Sequence, residues 1–345
     1  MKNRIRTPLF FLSLLLCAGC GAVTAPAQTE PVEHSFFAMN TYITMQASGV
    51  ESEAVLREAE ELILRLENQL SVTDEDSEIY AANHSEGQSV PISPDTEELL
   101  SFALSMAEET GGALDPTVYP VLTAWGFTTE ERRVPTQSEI DALLPLVDYK
   151  RIRLSEGWLT VPQGAAMDLG AVAKGYTGDR VAAFLKEQGV TSALINLGGN
   201  VQAVGGKPDG SLWRIGVRDP FSEQNLGVLE VEDCAVVTSG GYQNYFIGED
   251  GTVYWHILDP ETGYPAQSGL ASVTVVAPEG KQCDALSTAL FVMGPEDALD
   301  YWRTAGGFDL ILVAEDRHIY VTPGLEDAFT LRENAGDFVV EAVEA

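Results

Sequence analysis

The sequence predicts an α+β protein with a mixed, largely antiparallel sheet at its core and helices flanking that sheet. Amphipathic helical patterns fill the first half of the chain, whereas short runs rich in β-branched residues dominate the part beyond residue 150. Those runs are mixed with helices and do not alternate strictly with them. No G-x-G-x-x-G follows a predicted strand, which disfavours a doubly wound dinucleotide-binding fold.

The first elements are indicated by their periodicity and by the signals at their ends. Alternating apolar and polar residues predict a strand over residues 35–47. Apolar residues then share one stripe over residues 55–70, as in an amphipathic helix. A second helix over residues 93–111 opens with a serine–proline pair and ends at two glycines. A shorter helix is predicted over residues 137–146.

The second half is predicted to be rich in strands, with three helices between them. The predicted strands are residues 151–154, 158–161, 192–197, 212–217, 228–232, 235–238, 252–258, 271–277, 308–313 and 318–321. The predicted helices are residues 169–188, 284–293 and 295–304.

The N-terminus resembles a lipoprotein signal peptide over residues 1–19. Three basic residues precede the apolar run Leu9–Leu16, and small residues then lead to Cys20. That run is shorter than the ~20 apolar residues of a membrane-spanning helix. We therefore expect lipidation of Cys20, which would hold the protein on the extracytoplasmic face of the bacterial cell membrane. The usual lipoprotein pattern has an aliphatic residue where Cys17 stands, and an ordinary secretory signal is the alternative.

The remaining chain divides by composition into three parts. Residues 20–33 lack periodicity and read as a flexible tether, residues 34–325 form the folded domain, and residues 326–345 are an acidic C-terminal tail. Two cysteines of the domain, Cys234 and Cys283, are isolated in apolar surroundings without CxxC spacing. Buried free thiols are favoured over a single bridge between them.

The charge of the chain excludes one class of partner. Lys and Arg number 20 against 52 Asp and Glu, which gives a formal net charge of −32 at pH 7. A surface this acidic repels nucleic-acid phosphates, so we expect no nucleic-acid partner. It also opposes an anionic substrate unless a bound metal neutralises the site locally.

The segment around Asp284 offers a candidate metal site. On a helix, Asp284 and Thr288 lie four residues apart and share a face. A carboxylate beside a hydroxyl supplies hard oxygen ligands that suit magnesium. The alternative is that Asp284 caps the helix and Thr288 bonds back to a carbonyl.

Other segments carry candidate ligand-binding or acid–base groups. Asp168 precedes a Gly/Ala-rich helix start that also contains Lys174. Asp168 could contact a nucleobase or sugar, and Lys174 could contact a phosphate. The alternative is that Asp168 is an N-cap and Lys174 a surface cation. Paired glycines after a strand at Gly198-Gly199 could expose main-chain N–H groups or simply form a turn. His256 stands at the end of a predicted strand, shortly before the turn-forming segment Asp-Pro-Glu-Thr-Gly. Its imidazole is a candidate general acid or base.

The order of these segments resembles the ApbE family of FAD:protein FMN transferases. The resemblance extends from about residue 35 to residue 322, and its motifs are specific in combination because they recur in one order. The motifs are Met39-Asn40-Thr41, Leu114-Asp115-Pro116-Thr117-Val118, Trp125-Gly126-Phe127, DLGAVAKGY from Asp168, INLGGN from Ile195, TSGGY from Thr238, HILDPETGYP from His256 and CDALSTALFVMG from Cys283.

The resemblance implies an ApbE-like fold and a reaction. FAD bound with Mg²⁺ would be cleaved at its pyrophosphate, FMN would pass to a threonine hydroxyl of an extracytoplasmic acceptor protein, and AMP would leave. An FAD pyrophosphatase that releases FMN, and a flavin-binding lipoprotein without turnover, are the alternatives.

The resemblance also implies roles for individual residues. The metal ligands would be Asp284, Thr288 and the carbonyl of Ala171, and the general base would be His256 or Asp284. The FAD site would be lined by Met39, Ala113, Leu114, Asp115, Asp168, Lys174 and Leu258. Two positions depart from the family pattern: Ser287 stands where many relatives have a second carboxylate, and Asn40 stands where many have glycine.

Overall fold

Strands form most of the framework of the structure, which is a computed structural model that describes residues 31–49, 52–129, 131–333 and 335–344. The predicted signal peptide, Cys20 and most of the predicted tether lie outside these residues. The strands are β1 (Val32–Ala38), β2 (Thr41–Ser48), β3 (Ser89–Pro91), β4 (Arg153–Ser155), β5 (Trp158–Thr160), β6 (Ser192–Leu197), β7 (Asn200–Val204), β8 (Trp213–Arg218), β9 (Asn225–Val231), β10 (Ala235–Gly240), β11 (Tyr245–Ile247), β12 (Val253–Trp255), β13 (Leu270–Ala277), β14 (Asp309–Ala314), β15 (His318–Val321), β16 (Phe329–Leu331) and β17 (Val339–Ala342).

The largest sheet in the described part of the chain has the order β1-β2-β6-β7-β10-β13-β14-β15-β17. Each neighbouring pair in it is antiparallel except β15 and β17, which are parallel. Three smaller sheets, β16-β9-β8, β3-β5-β4 and β11-β12, are antiparallel as well. The predicted α+β class with a mixed, largely antiparallel sheet is therefore confirmed.

The helices in the described residues are α1 (Ser52–Leu70), α2 (Glu78–Asn83), α3 (Pro94–Glu109), α4 (Tyr119–Ala124), α5 (Gln137–Leu143), α6 (Ala173–Glu187), α7 (Gly280–Met293) and α8 (Pro295–Ala305). Six of these helices lie at or near predicted positions, whereas the short helices α2 and α4 were not predicted. In α3, Ser93 accepts a hydrogen bond from the N–H of Thr96 and Pro94 occupies the first turn, as its sequence signals require.

The prediction of one strand over residues 35–47 is wrong, because the chain reverses in the middle of that segment. Strands β1 and β2 form a hairpin in which Ala38 pairs with Thr41. The two turn residues, Met39 and Asn40, have φ angles of +51° and +56°. Two positive φ values define a turn that fits hairpin twist, and asparagine tolerates this region better than most residues. Asn40 can therefore occupy this turn position without being glycine.

Two helix starts differ from their predicted positions, the first because of a local turn and the second because of a hydrogen bond over a long sequence distance. Helix α6 begins at Ala173 and not at residue 169, after a turn in which Ala173 N–H donates to the Leu169 carbonyl at 2.8 Å. Helix α7 begins at Gly280, four residues earlier than predicted, because Asp179 from α6 accepts the Gly280 N–H. A carboxylate 101 positions away leaves no local signal in the sequence.

The largest sheet separates two apolar layers. Val237 on β10 packs with Cys283 and Leu286 of α7 in the core on the helical side. Its neighbour Val236 packs instead with Ile215 of β8 in the core on the other side. Successive strand residues point to opposite faces, so β10 contributes to both layers at once. Helix α7 is thereby fixed against the middle of the sheet.

The C-terminal segment contributes to the fold. Within residues 326–345, which the sequence separates as an acidic tail, β16 pairs with β9 and β17 pairs with β15. The Arg332 guanidinium also donates to the Asp219 carboxylate at 2.8 Å, and Asp219 is only 2% exposed. The folded body therefore continues past residue 325. Among the described residues, no helix is both long and apolar enough to cross a membrane.

Replacing Arg332 by methionine should lower the free energy of unfolding by about 3 kcal/mol, because it leaves the buried Asp219 carboxylate without its cation. Urea unfolding followed by circular dichroism would measure the change. Arg303→Met is the matched control, since Arg303 and Asp300 form an exposed ion pair that contributes little to the free energy of unfolding. Equal small effects of both substitutions would show that the Arg332–Asp219 ion pair does not stabilise the domain.

Candidate active site

Asp284 lies in the second turn of α7 and caps a different helix. Its Oδ2 atom accepts a hydrogen bond from the Gly175 N–H of α6 at 2.9 Å. Because α7 already begins at Gly280, Asp284 is not the N-cap of its own helix. That alternative interpretation of the sequence is therefore wrong, and the carboxylate is directed at the N-terminus of α6, where helical N–H groups lack partners.

The carbonyl of Ala171 belongs to the same helix end. In a regular helix the Gly175 N–H would donate to this carbonyl, but it donates to Asp284. The hydrogen-bond ladder of α6 instead starts with Tyr176 N–H and the Val172 carbonyl, at 3.0 Å. No hydrogen bond reaches the Ala171 carbonyl from any residue that the structure describes. Its lone pairs remain available one helical turn from the Asp284 contact.

The hydroxyl groups next to Asp284 form a chain between α7 and β10. Ser239 Oγ lies 2.8 Å from Ser287 Oγ and 3.4 Å from Thr288 Oγ1. Ser287 Oγ also donates to the Asp284 carbonyl at 2.9 Å and is 0% exposed. The side chain of Ser287 thus belongs to the buried contact with β10, where a carboxylate would have to lie against Ser239.

These oxygen atoms fit a hard divalent cation. Asp284 is 4% exposed, and it forms no ion pair with any Lys, Arg or His in the described ranges. A buried carboxylate with one hydrogen bond retains acceptor capacity that a cation satisfies. No group of three or more His, Cys, Asp or Glu side chains suited to a metal occurs in the described parts of the chain. A carboxylate, a hydroxyl and a carbonyl suit magnesium better than zinc.

Asp168 and Lys174 flank the start of α6. Asp168 Oδ1 accepts from Gly170 N–H at 2.8 Å in the turn before α6, whereas the N-cap position of α6 is Val172, so the alternative of Asp168 as the N-cap is wrong. Burial raises the pKa of Asp168, and the hydrogen bond from Gly170 and the positive charge of Lys174 offset only part of that rise. Lys174 Nζ lies 3.4 Å from the Gly170 carbonyl, which holds the ammonium group beside this turn.

His256 brings an uncharged imidazole into the same region. Its main-chain N–H donates to Asn244 at 3.0 Å, while the buried ring Nδ1 atom has no partner among the described residues. Burial lowers the pKa of His256 to about 4, and the positive charges of Lys174 and Arg132 contribute to this shift. His256 is therefore neutral at pH 7 and can accept a proton.

The loop around Asp115 is held rigidly and connects to Asp168. Asp115 Oδ1 accepts from the N–H and hydroxyl of Thr117, at 2.8 and 2.6 Å, and Oδ2 accepts from Tyr149 N–H at 3.2 Å. The Asp168 N–H donates to the carbonyl of Pro116 in this loop at 2.8 Å. Both Asp115 oxygens are thus used within the protein, which gives the residue a structural role whatever it binds.

The remaining predicted site residues lie on turns or in cores. Leu114 and Leu258 are buried in separate apolar clusters, so only their main chain is free to face a ligand. Ala113 is half-buried beside the first of these clusters. Met39 occupies the β1–β2 turn, where its N–H donates to Glu67 Oε1 at 2.5 Å.

Sequence reasoning missed Gly175, Ser239 and Arg132 as components of this region. Gly175 and Ser239 stand inside segments that were recognised, KGY and TSGGY, but their contacts with α7 depend on how α6 and β10 pack. Arg132 acts on His256 through its charge and also lies over the Phe127 ring. No local pattern around Arg132 signals this role.

A cavity of about 390 Å³ lies elsewhere and is not part of this site. Its lining includes Thr44, Asn196 and Thr238. Thr238 and Ser239 are neighbours on β10 and therefore point to opposite faces of the sheet. Since Ser239 contacts α7, the cavity lies on the face away from Asp284.

Fold and site together define an α+β protein whose centre combines hard oxygen donors with a lysine, a second aspartate and a neutral histidine. The model of the ApbE family matches residues 39–312. The FAD:protein FMN transferase of Treponema pallidum is 32% identical over 342 residues, covering 92% of this chain and 94% of that protein. The enzyme of the same name from Escherichia coli K12 is 30% identical and covers 85% and 88%.

Solved structures give the same result. The ApbE protein of Thermotoga maritima superposes with a TM-score of 0.78 at 33% identity, covering 90% of this chain and 99% of that one. The apo flavinyl transferase ApbE of Pseudomonas stutzeri gives a TM-score of 0.76 at 30% identity, with 91% and 98% covered. The chain belongs to the ApbE family.

The low pKa of His256 predicts a specific dependence of stability on pH. Between pH 6.5 and about 4 the unfolded imidazole binds a proton that the folded one does not, so this residue lowers stability as the pH falls through that window. His256→Gln should remove this contribution in urea unfolding at pH 7 and pH 5. In NMR, the His256 ring should titrate near pH 4.

The exposed His84 supplies the matched control, as His84→Gln also removes one imidazole. If the His256 ring titrated near pH 6.5, the imidazole would not be the neutral buried base inferred from the structure.

Proposed function

We propose that this protein is a magnesium-dependent FAD:protein FMN transferase. It would join the FMN phosphorus of FAD to a threonine hydroxyl of an acceptor protein and release AMP. The observation that supports the proposal is that Asp284, one turn from Thr288 on α7, takes the Gly175 N–H and leaves the Ala171 carbonyl without a partner among the described residues, in a chain that belongs to the ApbE family. Relatives named for this activity match the chain over most of its length.

The chemistry needs positioned charge more than covalent participation by the protein. In the proposed reaction the threonine Oγ forms a bond to the FMN phosphorus, the bridging P–O bond to AMP breaks, and the threonine proton passes to a base. Mg²⁺ would neutralise negative charge on the pyrophosphate during this exchange. Such neutralisation matters especially in a chain with a formal charge of −32.

The residues of the site would bind Mg²⁺ and FAD and accept the threonine proton. Asp284, Thr288 and the Ala171 carbonyl would hold Mg²⁺, while Lys174 would attract a phosphate or ribose oxygen. His256 or Asp284 would accept the threonine proton; His256 is neutral at pH 7, and its buried Nδ1 atom has no partner among the described residues. Asp168 would accept hydrogen bonds from the adenine. Met39, Asp115 and the main chain of Ala113, Leu114 and Leu258 would line the rest of the FAD site.

The acceptor would be an extracytoplasmic protein that presents a threonine. The lipoprotein-like pattern that ends at Cys20 supports export and anchoring at the outer face of the cell membrane. This location would place the enzyme beside exported redox proteins that carry covalent flavin. The strongly acidic surface gives no support for a nucleic-acid partner.

Replacing Asp284 by asparagine should lower the rate of FMN transfer at least ~100-fold, because the Mg²⁺ site loses its carboxylate while the side chain keeps its size. Mass spectrometry of a purified acceptor incubated with FAD and Mg²⁺ would measure the transferred FMN. Chelation of Mg²⁺ from the wild-type reaction should give a similar loss.

Asp300→Asn, on an exposed turn of α8, is the control and should leave transfer unchanged. Full-rate transfer by the Asp284 variant would contradict the metal assignment. Release of free FMN without flavinylated acceptor would contradict the transferase for that acceptor and indicate a pyrophosphatase.

A further inference from the structure

Helices α6 and α7 carry the same pattern of residues at their contact. In α6, Gly175 precedes Asp179 by four positions, and in α7, Gly280 precedes Asp284 by four positions. A spacing of four places each glycine and aspartate on one face of its helix. Each helix therefore presents a glycine and a carboxylate one turn apart to the other.

The hydrogen bonds between the two helices are reciprocal. Gly175 N–H of α6 donates to Asp284 of α7 at 2.9 Å, and Gly280 N–H of α7 donates to Asp179 of α6 at 2.5 Å. Neither helix has a side-chain cap of its own, since the side chains of Val172 and Glu279 at their N-cap positions make no capping hydrogen bond. Each helix thus supplies the cap that the other lacks.

The two glycines allow the helices to approach closely enough for this exchange. A Cβ atom on Gly175 would collide with the Gly280 carbonyl oxygen and lie 2.7 Å from the Asp284 Cβ. A Cβ atom on Gly280 would lie 2.7 Å from the Gly175 carbonyl oxygen. The main chains are therefore in contact at the crossing point, and the positions of Asp179 and Asp284 depend on each other.

The two carboxylates differ in how many of their oxygens the protein uses. Asp179 accepts at both, because Lys281 N–H donates to Oδ2 at 2.9 Å in addition to the Gly280 bond. Asp284 accepts at Oδ2 alone, and no N–H or O–H of the described residues reaches its Oδ1 atom. One member of the pair is thus fully used in capping, and the other retains an oxygen for a cation.

The use of Asp179 as a helix cap costs free energy, because its carboxylate is buried. Burial raises its pKa to about 6, because desolvation outweighs the two main-chain hydrogen bonds and the charge of Lys281. A neutral serine at a helix N-cap accepts a main-chain N–H without that cost. This suggests that the geometry it imposes, rather than stability alone, explains the carboxylate.

We propose that Asp179 is a positioning residue for the cation site. By fixing the first turn of α7 against α6, it sets the position of Asp284 and Thr288 relative to the Ala171 carbonyl. It does not touch the cation or FAD. The inference rests on the proposed function, because it assigns a role toward the Mg²⁺ of that reaction.

Mn²⁺ binding, followed by electron paramagnetic resonance with and without FAD, tests this role directly. Asp179→Ala should weaken Mn²⁺ binding ~10-fold or more, as expected when a group that orients metal ligands is lost. The Mg²⁺ concentration for half-maximal FAD cleavage should rise by a similar factor, whereas kcat at saturating Mg²⁺ should fall much less. Unchanged Mn²⁺ affinity in the folded variant would overturn the proposal.

Asp219→Ala is the matched control for loss of a buried capping carboxylate. Asp219 accepts the Phe221 N–H at 2.8 Å in the loop between β8 and β9, outside α6 and α7. If this variant weakened Mn²⁺ binding as much as Asp179→Ala, the effect would be general destabilisation and the proposal would fail.

A second variant keeps the test decisive if Asp179→Ala does not fold. Asp179→Asn retains the shape and one acceptor oxygen but sets an NH₂ group against the N–H of Gly280 or Lys281, so it should weaken Mn²⁺ binding to a smaller extent. Wild-type affinity in this folded variant would again overturn the positioning role. Failure of the wild-type protein to bind Mn²⁺ in either condition would instead overturn the proposed function itself.

Discussion

The direct contact of two helix main chains is the constraint on which the rest of the site depends. Gly175 and Gly280 leave no room for a side chain, and this brings the N-terminus of α6 to the second turn of α7. The contact diverts the Gly175 N–H to Asp284 and thereby frees the Ala171 carbonyl. The packing of α6 against α7 therefore positions the Asp284 carboxylate and leaves the Ala171 carbonyl unbonded, and these are two of the three proposed metal ligands.

The sheet gives this helix pair its rigidity. Strand β10 lies between two apolar layers and also reaches α7 through the hydroxyl of Ser239. The bond from Ser239 to Ser287 fixes the rotation of α7, while its longer contact with Thr288 leaves that hydroxyl less strongly held. The Ser287 hydroxyl is thus held in a buried hydrogen-bond network with Ser239 and the Asp284 carbonyl.

The electrostatic environment of the site differs from that of the acidic chain as a whole. The chain is strongly acidic, yet burial, aided by the positive charges of Lys174 and Arg132, lowers the pKa of His256 and keeps its imidazole neutral. In the same region, burial raises the pKa of Asp168, although Lys174 lies near it. Positive charge is thereby placed where an anionic dinucleotide would approach, and a neutral base stands beside it.

Sequence alone determined the elements with local signals and the order of the motifs. The α1 stripe, the Ser93-Pro94 start of α3 and the Asp284–Thr288 spacing arise from neighbours in the chain, and they sufficed to predict the α+β class and the family. Only the tertiary structure decided the Met39-Asn40 reversal, the start of α7 and the reciprocal capping of α6 and α7. The bond from Gly280 to Asp179 spans 101 positions, and such a contact exists only after the helices have packed.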